Sequence, residues 1–163
     1  MKFGTKVIHS GLETDPSTGA IITPIYQTST YVQKKPGDNM GFEYSRTKNP
    51  TRSALEKSLA AIEDGKFSIC YSSGMGAADA IIKLLKPGDT IISNNDIYGG
   101  TYRMFEQVFS NFGLNFNYTD LTRPENLDNV ITNSTKLIWI ETPSNPLLEI
   151  IDIQAISKLV KKY

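Results

Sequence analysis

Thr90-Ile91-Ile92-Ser93-Asn94-Asn95-Asp96-Ile97-Tyr98-Gly99-Gly100-Thr101-Tyr102-Arg103 decides the fold, because a short apolar run, a polar loop with paired glycines and the start of an amphipathic stretch follow one another without interruption. The pattern predicts a strand over residues 90–93 and a helix over about 101–112. The rhythm recurs on both sides. Upstream, Phe67-Ser68-Ile69-Cys70-Tyr71 reads as a strand, Ser72-Ser73-Gly74-Met75-Gly76 as a tight turn, and Ala77, Ala80, Ile81, Leu84 and Leu85 as a helical face closed by Pro87-Gly88. Downstream come strand 114–118, helix 124–131, strand 136–141 and helix 153–162. Four strand-helix units in succession predict an α/β fold with a mainly parallel sheet covered by helices.

Ahead of these units, Asn49 is an N-cap candidate and Pro50 suits the first helical position, with Leu55, Leu59 and Ile62 at helical spacing and a stop at Gly65. The first fifty residues read differently. Gly4, Gly11, Pro16, Gly19, Pro24, Pro36, Gly37 and Gly41 interrupt every apolar run, and no regular core element is expected there. Ile21, Ile22, Ile25, Tyr26, Tyr31, Phe42 and Tyr44 are too apolar for a solvated tail, so residues 1–50 are expected to form an extended arm packed on a partner.

Composition narrows the function classes. With 39% hydrophobic residues in 163, a one-domain core is affordable and wholesale disorder is excluded. Seventeen basic residues balance 17 acidic ones, so no cationic field gathers nucleic acid or anionic lipid. One cysteine and one histidine rule out an internal disulfide framework and a structural zinc site, and no metal site is expected. No apolar run reaches the roughly 20 residues of a membrane span, and the start lacks a signal-peptide pattern, so a soluble cytoplasmic chain is expected.

In open α/β sheets ligands bind beyond the carboxyl ends of strands, which directs attention to the loops that follow them. Ser72-Ser73-Gly74-Met75-Gly76 opens a helix, whose free N–H groups and positive dipole end suit a phosphate; a plain serine-capped turn fits the spacing equally well. It is no dinucleotide fingerprint, because Asp79 replaces the third glycine. Tyr98 has the flat face to stack on a cofactor ring and Arg103 the planar fork for a carboxylate, although a packed tyrosine and a solvated arginine are the commoner arrangement. Two prolines in Glu141-Thr142-Pro143-Ser144-Asn145-Pro146 present Glu141 and Asn145 rigidly, or simply make a turn. In the arm, Tyr44 and Arg46 share one side of an extended chain and offer a second anion contact. His9 has no triad spacing and reads as a surface or packing residue. Cys70, inside an apolar strand, reads as a buried small hydrophobe.

Taken together, Thr23-Pro24-Ile25-Tyr26-Gln27-Thr28-Ser29-Thr30, Tyr44-Ser45-Arg46-Thr47-Lys48-Asn49-Pro50-Thr51, Ser73-Gly74-Met75, Asp96-Ile97-Tyr98-Gly99-Gly100-Thr101 and Trp139-Ile140-Glu141-Thr142-Pro143-Ser144-Asn145-Pro146 resemble the Cys/Met-metabolism family of pyridoxal-phosphate enzymes. That family includes cystathionine γ-synthase, γ-lyase and β-lyase, methionine γ-lyase and homoserine sulfhydrylases. The resemblance implies the aspartate-aminotransferase-like large domain (fold type I), with residues 51–163 as its N-terminal part. It implies pyridoxal 5'-phosphate as cofactor. Gly74 and Met75 would bind its phosphate, Tyr98 would stack on the pyridine ring and assist proton transfer, and Asn145, with Glu141 behind it, would stand near the phenolic oxygen. Arg103 matches a substrate contact. Tyr44 and Arg46 match a pair that reaches the neighbouring subunit's cofactor, within a homotetramer built from dimers.

The resemblance also implies what the chain lacks. The Schiff-base lysine and the acid paired with the pyridinium nitrogen fall beyond residue 163, and Lys83, Lys136 and Lys158 do not lie in the lysine motif. The expectation is the N-terminal portion of a longer transsulfuration enzyme acting on cystathionine or an activated homoserine, inactive by itself. The Tyr98-Gly99-Gly100-Thr101 run resembles the γ-lyases and γ-synthases most. A sulfhydrylase or β-lyase of the family is the enzymatic alternative, and a non-catalytic α/β phosphate-ligand module the other.

Overall fold

Asn49 starts a helix and ties down the chain that precedes it. In the computed structural model, which describes all 163 residues, its Oδ1 accepts from the N–H groups of Thr51 (2.9 Å) and Arg52 (3.4 Å). Its Nδ2 donates to the Tyr26 carbonyl and the Ser45 hydroxyl, both at 3.1 Å, and to the Tyr31 hydroxyl at 3.4 Å. Two compact units are present, Met1–Tyr71 and Ser72–Tyr163, and Asn49 is the hub of the first.

That first unit holds helix α1 (Phe3–His9), an antiparallel hairpin of β1 (Gln33–Lys35) and β2 (Asp38–Asn39), and helix α2 (Pro50–Ile62). The helix expected after Asn49 is α2. Helix α1 and the hairpin precede it, but α1 buries no residue and the hairpin is largely exposed, so neither is a core element. Gly11 explains how α1 docks: with φ +79°, it lies so near α2 that a Cβ would stand 2.5 Å from the Ala54 carbonyl oxygen. Only glycine permits that approach. Thr51 adds a second tether, donating to the Pro24 carbonyl and accepting from the Tyr26 N–H. The Asp15 carboxylate organises a turn through Ser17 and Thr18 and accepts from the Tyr26 hydroxyl at 2.9 Å. Those hydrogen bonds, that of Ser17 foremost, hold its pKa well below the usual carboxylate range. His9 ends α1 and is exposed.

Residues 67–71 are not a strand. No segment of the chain pairs with them, and a lone extended run cannot satisfy its own backbone groups. Phe67 is 77% and Ile69 63% exposed, and Cys70 is half-buried rather than buried, its N–H held by Glu56 Oε1 at 3.0 Å.

The second unit begins with helix α3 (Gly74–Ile82), which turns through Pro87-Gly88 into strand β3 (Thr90–Asn94). Helix α4 (Gly99–Gln107), a 3-10 turn (Phe109–Phe112), strand β4 (Asn115–Thr119), a second 3-10 turn (Pro124–Asn129), strand β5 (Thr135–Trp139) and helix α5 (Ile153–Val160) follow. The sheet is parallel and three-stranded in the order β4-β3-β5, so three of the four expected strands form.

Alternation along β3 builds both hydrophobic layers. Ile91, fully buried, joins Ala78 and Ile82 of α3, Met104 and Phe105 of α4, and the partly buried Phe116, Leu137 and Trp139. Ile92, also fully buried, points the other way into Leu121, Leu127, Ile151 and Ile156, with Ile138 and Ile140 beside them. Helices therefore cover both faces, as a strand apolar on both sides demands. Phe105 anchors the first layer, stacked on Phe116 (4.6 Å between centroids) and edge-on to Trp139 (5.6 Å).

Two predicted helices give way to 3-10 turns. Polar side chains compete for helical carbonyls. Ser110 and Asn111 bond back to the carbonyls of Glu106 and Gln107, and α4 gives way to a 3-10 turn. Over residues 124–131 Asn126 reaches the Asp120 carbonyl at 2.8 Å, and only a 3-10 turn forms.

Because Asn49 combines a cap with two amide hydrogens shared among three acceptors, Asn49→Ala is expected to lower stability by about 2 kcal/mol in guanidinium unfolding. Asn49→Asp keeps the cap oxygen and loses the donors, so it should cost about half as much.

Candidate functional site

In the order β4-β3-β5 the chain crosses β3 on its way from β4 to β5, so the carboxyl end of β3 is the switch point where a crevice opens. Asn94, 1% exposed, closes β3 there. Its Oδ1 accepts the Glu141 N–H at 3.0 Å and its Nδ2 donates to the Asp96 carbonyl, joining the loop after β3 to the loop after β5.

Glu141 completes the junction. Its Oε2 accepts the Tyr98 N–H at 2.7 Å, and its Oε1 accepts from the Thr101 hydroxyl (3.1 Å) and Trp139 Nε1 (3.4 Å). A carboxylate thus sits on the first turn of α4, where free N–H groups and the helix dipole favour negative charge. Asp96 supplies a second link: its Oδ2 accepts from the Ser144 hydroxyl and, at 2.9 Å, from the Leu147 N–H.

On this scaffold Tyr98 is half exposed, and its hydroxyl has no partner within the chain. Its ring lies over Gly100, where a Cβ would stand 2.3 Å from the Tyr98 Cε1. Glycine at 100 therefore makes room for the ring. Arg103 lies one turn into α4, exposed and without an ion pair, its guanidinium close enough to touch a Cβ at Gly99. Asn145 is exposed at the crest of the loop after β5, its amide unpaired within the chain.

At the N-terminus of α3, Ser73 Oγ accepts the Gly76 N–H at 3.0 Å, which leaves the Gly74 and Met75 amides free. Space before Gly74 is open: a Cβ there would meet nothing within 4 Å. Met75 packs against the layer that contains Met104 and Phe105, and α3 runs back to the start of β3, so its N-terminus lies toward the carboxyl end of the sheet with Tyr98 and Asn145. In the other unit, the Arg46 guanidinium stands 5.1 Å from the Tyr44 ring centroid, both side chains exposed. Their loop is clamped by Arg52, which donates to the carbonyls of Ser45 and Thr47 at 2.9 Å.

Tyr98, Arg103, Glu141 and Asn145 thus share one sheet edge, and Tyr44 and Arg46 share one loop. Glu141 lies against the backbone of Tyr98. Asn94, Asp96, Thr101 and Ser144 were not singled out from the sequence. Asp96 could have been, as a carboxylate next to a predicted loop entry; Asn94 and Ser144 gave no signal, because their importance is burial. No group of three or more His, Cys, Asp or Glu side chains is placed to hold a metal ion, and no helix is long and apolar enough to cross a membrane.

Residues 4–163 match the family described as Cys/Met metabolism PLP-dependent enzyme. The chain is 47% identical over 161 residues to a probable cystathionine gamma-synthase of Herpetosiphon aurantiacus, covering 99% of this chain and 50% of that one. It is 46% identical to a cystathionine beta-lyase of Coxiella burnetii, covering 97% of this chain and 41% of the relative. Its fold superposes on cystathionine gamma-lyase from Lactobacillus plantarum, complexed with L-serine, with a TM-score of 0.93 and 45% identity over 99% of this chain and 42% of that one. The chain therefore spans half or less of the length of these relatives.

Trp139 is the only tryptophan and bonds to Glu141, so it reports on the junction. Glu141→Gln sets an NH2 donor where Tyr98 N–H, Thr101 and Trp139 need acceptors. It is expected to cost about 1–3 kcal/mol in urea unfolding and to change Trp139 emission in the folded state.

Proposed function

The chain belongs to the Cys/Met-metabolism family of PLP-dependent enzymes and has their type I fold, and from that premise we propose that it is the cofactor-phosphate and substrate-facing portion of a transsulfuration enzyme of the cystathionine γ-lyase or γ-synthase type. The observation that carries this reading is a contrast between paired and unpaired groups. Asn94, Thr101 and Ser144, buried near the carboxyl end of the sheet, have bonded side chains, whereas the Tyr98 hydroxyl, the Arg103 guanidinium, the Asn145 amide and the Gly74 and Met75 N–H groups have no partner within the chain.

The free amides at the start of α3 fit a phosphate, and the Tyr98 ring, given room by Gly100, fits a planar heteroaromatic partner, so the residues present suit pyridoxal phosphate. When bound, the cofactor supplies an electron sink for carbon–sulfur chemistry on an amino acid. Gly74 and Met75 would hold the phosphate, Tyr98 would support the ring and hold a proton near the substrate amine, and Asn145 would stand near the phenolic oxygen. Arg103 offers a planar fork to the substrate carboxylate. The L-serine in the similar lyase structure supports an amino-acid ligand here.

Tyr44 and Arg46, exposed and clamped from behind by Arg52, are proposed to reach the phosphate in a neighbouring subunit of a cytoplasmic homo-oligomer. Residues 1–50 then act as an arm, and 51–163 as part of the large domain. Exposed Ile21, Ile22 and Ile25 at 74–79% are the apolar surface such a contact would cover. We assign the covalent anchor to none of Lys83, Lys136 and Lys158, which lie outside the lysine motif; Lys83 pairs with Asp79 at 2.7 Å and Lys136 donates to the Asn133 carbonyl at 3.0 Å. The 163 residues alone are accordingly expected not to turn over substrate.

The test uses the complete gene product. Cleavage of cystathionine to cysteine and 2-oxobutyrate, or its formation from cysteine and an activated homoserine, supports the reading; sulfide incorporation as the dominant reaction would reassign the protein to a sulfhydrylase, and cleavage to homocysteine and pyruvate to a β-lyase. In the 163-residue chain, a covalent, borohydride-trapped adduct with pyridoxal phosphate would refute the absence of an anchoring lysine. Gly100→Ala is expected to weaken cofactor binding about tenfold in an absorbance titration, since the added methyl forces the Tyr98 ring aside, while thermal unfolding moves little.

A further inference from the structure

We infer that Asp96 is a positioning residue, which fixes Asn145 relative to Tyr98 by clamping the loop after β5 to the loop after β3. This rests on the cofactor reading above and extends it to residues that touch neither cofactor nor substrate.

The clamp is built from one carboxylate oxygen and one buried hydroxyl. Asp96 Oδ2 accepts both the Ser144 hydroxyl and the Leu147 N–H, so it holds the loop on either side of Asn145. Ser144 is 1% exposed and works in three directions: its hydroxyl donates to Asp96 and accepts the Glu149 N–H at 2.9 Å, and its own N–H bonds the Glu149 carbonyl at 2.9 Å. The Leu148 N–H closes the turn on the Ser144 carbonyl at 3.2 Å. On the other side, Ile97 is buried in the first hydrophobic layer and Glu141 bonds the Tyr98 N–H. Asp96 therefore stands between a tyrosine and an asparagine whose own side chains have no partner in the chain.

Backbone strain within the same turn is an independent sign that this geometry is imposed. Leu148 adopts φ +59°, the left-handed region uncommon for residues other than glycine, although it is 70% exposed. Such a conformation persists where surrounding bonds over-determine it, and residues held this way concentrate at functional sites. Here the determining bonds run through Ser144 and Asp96. Hydrogen bonds to an ionised acceptor are the stronger kind, which suits a carboxylate charged with holding a strained loop.

The chemistry predicts which substitutions the clamp tolerates. Asp96→Asn retains an acceptor oxygen for Ser144 and Leu147, and Ser144→Thr retains the hydroxyl. Asp96→Ala and Ser144→Ala retain neither. Two measurements on the complete protein decide. Hydrogen exchange without added cofactor should show the Leu147 and Glu149 amides at least tenfold faster in Asp96→Ala, with α5 amides as in the parent. With pyridoxal phosphate, the alanine variants should shift the visible circular dichroism of the bound cofactor and lower kcat about tenfold with a smaller change in KM, and Asp96→Asn and Ser144→Thr should restore most of both. Unaltered exchange at Leu147 and Glu149 would overturn the clamp. A fall in Tm with parental dichroism and parental kcat per bound cofactor would reduce Asp96 to a structural role and overturn the positioning claim. Failure of the parent protein to take up pyridoxal phosphate would instead refute the cofactor reading, and Asp96 would have no cofactor-facing role to serve.

Discussion

The Glu141 carboxylate on the first turn of α4 is the interaction that gives the sheet edge its shape. Parallel strands end together, and the loops that leave them would otherwise be free to splay. Glu141 leaves the end of β5 and reaches the backbone of the loop from β3, while Asn94 reaches back from β3 to the Glu141 backbone. The side chain of Asn94 holds the Glu141 N–H, and the side chain of Glu141 holds the Tyr98 N–H, so the two loops are tied in both directions. Charge strengthens the first of these, because the acceptor is ionised and the donors lie where the helix dipole is positive. Ser93, fully buried next to them, has the one buried side-chain oxygen without a partner, whereas the buried Asn94, Thr101 and Ser144 are bonded within the fold.

The Met1–Tyr71 unit solves a different problem with similar means. It has little regular structure and no layered core: Ala60 is its only buried apolar residue, and the buried Asp15 serves a turn. Order comes from side chains that bond to main chain far away in sequence. Asn49, Thr51 and Arg52, three neighbours around the start of α2, reach residues from Pro24 to Thr47. Such a unit can be ordered without being self-sufficient, and the apolar side chains it leaves exposed along 21–25 show how much burial it forgoes.

Strand periodicity made the three-stranded sheet and its two helical layers legible, since Ile91 and Ile92 can only be read as facing opposite ways. The helix after Asn49 was legible from a cap and a proline. Residues 67–71 were not, because an apolar run of strand-like composition becomes a strand only with a neighbour to pair with, and pairing is not written in the run itself. The shortened helices were misread for a local reason: Asn and Ser side chains compete with the backbone at positions that apolar spacing ignores. At the site, exposed residues with distinctive chemistry, Tyr98, Arg103 and Asn145, stood out in sequence. Their supports did not, since an asparagine or serine that matters by burial looks like any other loop residue.

That difference follows from the division of labour between the two sets. A residue that must meet a ligand has to keep its hydrogen-bonding capacity unspent, so it cannot also secure its own position. Tyr98 and Asn145 accordingly have free side chains and borrowed backbones: Glu141 holds the N–H of one, and the turn through Ser144 and Asp96 holds the other. The supporting residues show the reverse, with side chains fully committed and no reach beyond the fold. Gly100 belongs to the same logic, since it supports the Tyr98 ring by contributing nothing at all where any side chain would collide. Replacing a support therefore moves a group that remains chemically intact, which makes such residues hard to find by chemistry and straightforward to find by asking which bonds hold an unpaired side chain in place.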